Sequence, residues 1–237
     1  MKRFATLFIL FGTITFFACK NEPDQASGDT PAADADSLET ERIDTVLSGE
    51  TISFFNQSGF SDFARSKAPG FDWSKFRIAT SWQDDSLHVT NFTAPDNYEI
   101  YKRLFRYSPD STMYLDLDSY NVLIQKDKRG NYVADDAGPD TEVSLVNTRT
   151  NKKTRLLYTG PGNSVEDGAW IDSDNLVIMG FQEADSTDNR IPVLWRFNIS
   201  SNTFYQYEMP DAQVAQQLMG EWRKERLSKI NAGKKRF

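Results

Sequence analysis

The sequence predicts a mainly β protein, a small antiparallel sheet assembly that ends in a C-terminal amphipathic helix. Three observations support this fold class. From Lys75 to Tyr207, short runs of Val, Ile, Leu, Thr and aromatic residues alternate with Asn, Asp, Gly and Pro, which is typical of strands and turns. Similar turn-and-strand segments recur within that region. An apolar stripe at helical spacing then follows over residues 211–232.

Residues 1–18 are predicted to be a signal peptide. Two basic residues precede an uncharged apolar run over residues 4–17, which is too short to span a membrane because a spanning helix needs about 20 residues. The run ends at Cys19, the only cysteine of the chain. This junction resembles the lipobox of bacterial lipoproteins, although Phe16 stands where that family usually has an aliphatic residue. The resemblance implies acylation of Cys19, with palmitate as an acyl chain. The alternative is an ordinary secretory signal.

Residues 19–46 are predicted to be the lipidated cysteine and a disordered acidic linker. The segment 20–46 contains eight acidic and two basic residues and no aromatic residue, so it cannot bury enough apolar area to fold. Its start, Lys20–Asp24, resembles the tether that directs lipoproteins to the outside of the outer membrane in some Gram-negative bacteria. That resemblance implies a lipid anchor in the outer membrane and display on the cell surface. The periplasmic face is the alternative.

Residues 47–209 are predicted to form the β-rich domain, in which a short helix at Ser61–Ala68, stopped by Pro69 and Gly70, precedes the strands. An aromatic residue, an acidic turn and a strand recur three times in it. The copies are Trp82–Phe92, Tyr107–Leu117 and Trp170–Phe181. Two further segments, 143–157 and 193–207, each read as a strand, an Asn-rich turn and a returning strand, which predicts two hairpins.

These repeats resemble β-propeller blades of the TolB-like type, in which an aromatic-Ser-Pro-Asp-Gly turn opens a strand. Tyr107–Asp110 matches that turn best, with Ser111 in the place of Gly, and Trp170–Ser173 is a degenerate copy. The resemblance covers Arg106–Met209 and implies a partial propeller-like assembly. A β-sandwich is the alternative, because the domain is too short for a closed ring of six or seven blades. Sheet edges left open would need a covering partner, helix or second copy.

Residues 210–237 are predicted to be a basic amphipathic helix and tail. Asp211 is a suitable N-cap, and Arg226 and Lys229 interrupt the apolar stripe toward the end of the helix. The stripe consists of Val214, Ala215, Leu218, Met219 and Trp222. Packing of this helix on the sheet is the first expectation. In the second, the basic end at 234–236 contacts anionic lipid or an acidic partner.

The composition excludes several classes of chemistry. A single Cys, which acylation would occupy, and a single His leave no Cys nucleophile and no Cys/His metal site. His88 is expected on the solvent side of a strand, with Leu87 and Val89 inward. There is no phosphate-binding loop or dinucleotide fingerprint, so no cofactor is predicted. The net charge of −7 argues against nucleic acid as a partner.

One acidic segment is a candidate calcium loop. Asp116, Asp118 and Asn121 could supply oxygen ligands, although the Gly and distal Glu of an EF-hand are missing. The alternative is an ordinary turn, because Asp and Asn are favoured there for their backbone hydrogen bonds.

The sequence therefore favours a non-enzymatic envelope lipoprotein, a binding or assembly module for a protein or glycan partner. Trp82, Trp170 and Trp195 could stack on sugar rings, with core packing as the alternative. A hydrolase of polysaccharide or peptide with a carboxylate pair, or a structural spacer, is the alternative function. A deep pocket with two facing acids would favour the enzyme, and an exposed aromatic or apolar patch would favour binding.

Overall fold

The computed structural model describes residues 47–95, 98–184 and 189–230, which form four α-helices, two 3-10 helices (Trp73–Lys75 and Tyr98–Arg103) and twelve strands. The α-helices are α1 (Gly49–Gln57), α2 (Phe60–Lys67), α3 (Ala212–Leu218) and α4 (Glu221–Ser228). The strands are β1 (Arg77–Gln83), β2 (Val89–Asn91), β3 (Arg106–Tyr107), β4 (Met113–Asp116), β5 (Val122–Lys126), β6 (Tyr132–Asp136), β7 (Thr141–Asn147), β8 (Lys152–Thr159), β9 (Ser164–Trp170), β10 (Asn175–Glu183), β11 (Arg190–Asn198) and β12 (Thr203–Glu208). The mainly β prediction is confirmed. The predicted signal peptide, Cys19, the linker and the tail after residue 230 lie outside the described residues.

The strands form two five-stranded sheets and one hairpin, and all pairs are antiparallel. The first sheet has the order β1-β12-β11-β10-β9, and the second has the order β2-β8-β7-β4-β3. Four strands of each sheet form an up-and-down meander, which the separate hairpin β5–β6 interrupts in the second sheet. The fifth strand of each, β1 or β2, comes from earlier in the chain and lies at the outer edge. The two sheets therefore have the same arrangement of strands, a four-stranded meander with one added edge strand.

The two hairpins predicted from their Asn-rich turns are confirmed as β7–β8 and β11–β12. In the first turn, the side-chain oxygen of Asn147 accepts the backbone N–H groups of the second and third residues after it at 3.0 Å. In the second, Asn198 accepts the N–H of Ser201 at 2.9 Å. Asn151 and Asn202 adopt φ values of 51° and 52°, a conformation that Asn tolerates better than most residues. Turn chemistry thus determines both hairpins locally.

The three sequence repeats do not have the same structure. The second and third copies form the hairpins β3–β4 and β9–β10, at equivalent positions in the two sheets. The first copy, Trp82–Phe92, is different, because β1 pairs with β12 of the first sheet and β2 pairs with β8 of the second. Its acidic turn is a connection between sheets. The similarity of this copy reflects only the residue types that turns require.

Two large cores stabilise the first sheet from both sides. One core lies between the two sheets, where Leu115 and Leu145 of the second sheet pack with Ile178 and Phe197 of the first. The other core lies on the opposite face of the first sheet. There α1 and α2 contribute Phe55 and other aromatic residues, and α3 and α4 also pack. The helix predicted at Ser61–Ala68 is confirmed as α2.

The C-terminal segment is a helix pair, and the prediction of one helix over 211–232 is wrong in this respect. Asp211 is the N-cap of α3, as expected, and accepts the N–H of Val214 at 3.1 Å. Between α3 and α4, Gly220 adopts a φ of 77°, a left-handed conformation that ends one helix and turns the chain. Four residues of the apolar stripe are buried: Val214, Ala215, Leu218 and Trp222. Among the described helices, none has the length and apolar character needed to span a membrane.

Candidate functional site

A network of buried charges joins α4 to both sheets. Arg226 donates two hydrogen bonds to the carboxylate of Asp118, at 2.6 and 2.8 Å, and the two side chains are only 8% and 1% exposed. Burial alone would raise the pKa of Asp118, but the Arg226 guanidinium outweighs it and the pKa is lowered. Arg226 therefore does more than interrupt the apolar stripe. It anchors the helix to the loop that follows β4.

A second buried acid joins one edge strand of each sheet to the same helix. Asp167 of β9 accepts hydrogen bonds from Arg106 of β3 and from the indole of Trp222 in α4, both at 2.9 Å. The indole N–H of Trp170 also donates to the backbone oxygen of Arg106 at 2.7 Å. β3, β9 and α4 therefore meet around one carboxylate.

A third acid, Glu166 of β9, caps α4 from outside the helix. Its carboxylate accepts the backbone N–H of Gly220 at 2.6 Å, the N–H of Arg223 at 2.9 Å and the hydroxyl of Ser164 at 3.0 Å. These N–H groups lie at the helix start, where they have no intrahelical partner. Burial raises the pKa of Glu166 despite these bonds. Arg226 also donates to the backbone oxygen of Glu166 at 3.2 Å, so α4 covers part of the free edge of β9.

The three candidate calcium residues are buried and already hydrogen-bonded within the protein. Asp116 accepts the hydroxyl of Tyr98 at 2.7 Å, and Asn121 accepts Arg223 at 2.6 Å. Asp118 is held by Arg226, as described above. The two arginines place positive charge where a cation would have to bind. Among the residues that the structure describes, there is no group of three Asp, Glu, His or Cys side chains arranged to hold a metal. Calcium binding here stays a prediction that this arrangement does not favour.

A cleft of about 860 Å³ opens beside this network, between the helix pair, the start of β9 and the loop after β6. Arg223 lies in its wall, donates to Asn121 at 2.6 Å and forms an ion pair with Asp136 at 3.1 Å. Arg223 is 11% exposed, whereas Asp136 is 64% exposed. The size of the cleft is within the range of small-molecule sites, which is roughly 300–1,000 Å³.

Most of the residues that line the cleft are of polar type, and one wall is apolar. Ala212, Ala215, Met219 and Leu227 of the helix pair form that wall. Five carboxamide side chains also line the cleft: Asn121, Asn163, Asn189, Gln213 and Gln216. A carboxamide both donates and accepts hydrogen bonds, as a sugar hydroxyl does. Asn121 is already bonded to Thr141 and Arg223, so the exposed amides of Gln213 and Gln216 are the ones suited to a ligand with hydroxyl groups.

Among the described residues, the same lining provides no pair of free acids for hydrolysis. Its two carboxylates are Asp136, which is paired with Arg223, and Glu166, whose two oxygens accept backbone N–H groups. A glycosidase needs one protonated and one ionised carboxyl facing the same bond. The two acids of the described lining are therefore both engaged within the protein.

A second feature is an exposed apolar and aromatic surface around the β5–β6 hairpin. Leu123 of β5 and Val133 of β6 are 46% and 42% exposed. The strand register places both on the outer face, opposite the inward Val122 and Ile124 side chains. At the base of the hairpin, half-exposed Tyr120 and Tyr158 form an edge-to-face pair, with ring centroids 5.8 Å apart. We call Tyr120, Leu123, Val133 and Tyr158 the hairpin surface.

The tryptophans proposed for sugar stacking are engaged in packing. Trp195 is 4% exposed and belongs to the core between the sheets. Trp170 is half-buried against the same core. Trp82 is 36% exposed, but its ring stacks on Phe204 at 5.0 Å. None of the three lines the cleft.

The predictions for the segment around His88, the only histidine, are confirmed in part. His88 is exposed, as expected, and Leu87 packs against the core between the sheets. The inward placement of Val89 is wrong, because this side chain is 53% exposed. β2 is a three-residue strand at the sheet edge, where neither face is covered.

Comparison with known proteins yields no relative. No protein-family model matches the chain, and no curated protein or solved structure is significantly similar to it. The resemblances to bacterial lipoproteins and to TolB-like blades therefore stay predictions from their motifs. Any functional argument depends on the cleft and on the hairpin surface.

Proposed function

We propose that the protein is a binding module on the bacterial envelope that holds a glycan in the cleft. In this proposal acylated Cys19 anchors the chain in the outer membrane. The acidic linker then carries the folded domain away from the membrane, toward the cell surface. The length of the linker supports this arrangement of anchor and domain, because a flexible tether of that length extends on the order of 30 Å.

The single observation that carries the proposal is the lining of the cleft. Its exposed carboxamides match hydroxyl groups in hydrogen-bonding capacity, and the two acids of the described lining are both engaged by other groups. Gln213 and Gln216 are exposed on α3 and face the same cleft. A ligand with hydroxyls and a carbon skeleton could contact these amides and the apolar wall at once.

Calorimetric titration of the full-length protein in detergent with a panel of neutral and acidic oligosaccharides tests this proposal. We expect binding to at least one class, and replacement of both Gln213 and Gln216 by Ala should weaken it about tenfold or more, because two hydrogen bonds are lost. Gln217→Ala is the matched control, since Gln217 is exposed on the same helix but does not line the cleft. If no saccharide binds, the glycan proposal fails.

A second candidate function is assembly with another envelope protein through the hairpin surface. Four of the seven exposed large apolar or aromatic side chains of the described residues belong to this surface. Tyr is enriched in protein interfaces, and clustered exposed apolar side chains mark such sites. The turn between the strands adds Lys128 and Arg129 beside Asp127, so the expected partner presents an apolar patch with an acidic rim.

Affinity purification from detergent-solubilised envelopes, followed by mass spectrometry, tests the assembly function. A stoichiometric partner should be lost in Val133→Asp and retained in Val89→Asp, which changes a somewhat more exposed valine at a sheet edge elsewhere. A partner retained by both variants, or a second copy of the chain in its place, would contradict it.

A further inference from the structure

We propose that the cleft selects saccharides that carry a carboxylate and that Arg223 binds this carboxylate. The side chain of Asp136 competes with the ligand for Arg223. This inference rests on the proposed glycan-binding function and specifies its ligand class. The Arg223 guanidinium is nearly buried, whereas its ion-pair partner Asp136 is exposed. Other basic side chains also line the cleft.

Arg223 is held in position by its own surroundings. One terminal nitrogen of its guanidinium donates to Asn121 at 2.6 Å. Its Nε lies 3.7 Å from a carboxylate oxygen of Asp118, which is itself held by two hydrogen bonds from Arg226. A guanidinium fixed on one side presents a planar donor edge on the other, and this edge matches the two oxygens of a carboxylate.

Asp136 already occupies the position that a ligand carboxylate would take. It is the last residue of β6 and pairs with the remaining terminal nitrogen of Arg223 at 3.1 Å. Its side chain is 64% exposed, and an exposed carboxylate contributes little to stability through such a pair. Water can solvate the Asp136 carboxylate once this side chain has moved away from Arg223. A ligand carboxylate can therefore replace it at low cost.

Among the described residues that line the cleft, basic side chains outnumber acidic ones. Arg190 and Lys224 line the cleft and are 38% and 73% exposed. Their acidic partners, Glu183 and Glu221, lie at 3.6 and 3.2 Å and are not among the lining residues. Since the chain as a whole carries −7, positive charge at one opening favours an anionic ligand at that opening.

The test compares oligogalacturonate with its neutral methyl ester, by calorimetric titration of the full-length protein in detergent. The acid should bind about tenfold more tightly than the ester, because a charge-assisted bidentate contact is lost on esterification. Asp136→Asn should raise the affinity for the acid several-fold, and by a clearly larger factor than the affinity for the ester. Asp135→Asn is the control, since the neighbouring Asp135 is exposed and lies outside the cleft lining.

Arg223→Gln should reduce the affinity for the acid to that for the ester. Because Arg223 also contacts buried Asn121 and Asp118, its thermal unfolding must be checked, and Asp136→Asn decides the question if this variant does not fold. Equal binding of acid and ester, together with no effect of Asp136→Asn, would overturn the carboxylate inference but leave glycan binding intact. Binding of neither ligand, nor of any other saccharide, would overturn both.

Discussion

Arg226 and Asp118 are 108 residues apart in the chain and form a two-fold hydrogen-bonded ion pair, at 2.6 and 2.8 Å, inside the protein. The pair joins the last helix to the loop after β4. Together with Asp167 and Glu166 it makes α4 part of the sheet assembly, and α4 is therefore more than an appended tail. The cleft lies directly beside this junction, so the same contacts that hold the helix also define one wall of the site.

Removal of one member of this pair should strongly destabilise the protein. We expect Arg226→Met to lower the free energy of unfolding by about 3–5 kcal/mol, because Asp118 would be left buried without its partner. Urea denaturation measures the change. The double variant Asp118→Leu with Arg226→Leu should recover much of the loss, since neither member of the pair is then left buried without its partner. Lys102→Ala, which breaks an exposed pair with Glu99, should have little effect; an equal loss in both single variants would contradict the prediction.

Glu166 should make stability depend on pH. Burial raises its pKa in the folded state above the usual 4.5, so the folded state binds a proton more tightly than the unfolded state does. The stability from this proton is fully present below pH 4.5 and is lost as the pH rises through the folded pKa. Urea denaturation at pH 4, 5.5, 7 and 8 measures this effect. The free energy of unfolding of Glu166→Gln, relative to that of the native protein, should therefore increase as the pH rises. A constant difference, or one of opposite sign, would refute this.

Gly220 should be required at the break between α3 and α4. Its φ of 77° is strained for any residue with a Cβ, so Gly220→Ala should destabilise by about 1–2 kcal/mol. Gly49→Ala is the matched comparison, because Gly49 is the first residue of α1 and has open space where a methyl group would lie. That change should stabilise slightly, by up to about 1 kcal/mol. Thermal unfolding should show a lower midpoint for Gly220→Ala and a slightly higher one for Gly49→Ala. A change of the same sign in both variants would argue against this role of Gly220.

Calcium should not affect stability through the loop of Asp116, Asp118 and Asn121. Their oxygens already accept hydrogen bonds from Tyr98, Arg226 and Arg223. The midpoint of thermal unfolding should therefore be the same with added calcium and with a chelator. A rise with calcium that disappears in Asp116→Asn would restore the calcium hypothesis, since a bound ion stabilises the folded state by mass action.

Cys19 should determine membrane association. We expect Cys19→Ser to abolish metabolic labelling with palmitate and to move the protein from the membrane fraction to the soluble fraction, because a serine hydroxyl cannot form the thioether on which lipidation depends. Lys20→Ala is the comparison for the location signal, because it should keep the acyl chain but reduce exposure to protease added to intact cells. Labelling that persists in Cys19→Ser would disprove the lipobox interpretation.

Local chemistry accounts for much of what the sequence predicts correctly. The two Asn-rich hairpins, α2 and the N-cap at Asp211 depend on residues a few positions apart. The same local signals mislead where they are shared by different structures. The turn after Trp82 looks like the other repeats, yet it connects two sheets, because any acidic turn uses the same residue types.

The candidate site is not predictable in the same way. In the sequence Arg226 is only an interruption of an apolar stripe, and Glu166 and Asp167 lie inside a strand whose other residues are mostly buried. A charged residue on an apolar face signals a buried partner but does not identify it. Arg223 and Asp136 carry no local signal, because their pairing joins α4 to β6.

The sequence by itself determined the strand-rich fold class, the turns and the apolar face of the last helix, since each depends on neighbours in the chain. Only the tertiary structure decided which acids are paired, which sheet edge α4 covers and where a cleft opens. Those outcomes depend on contacts between residues that are about 50 to 110 positions apart. Such contacts form only when the two sheets and the helix pair pack together, and their geometry is set by that packing.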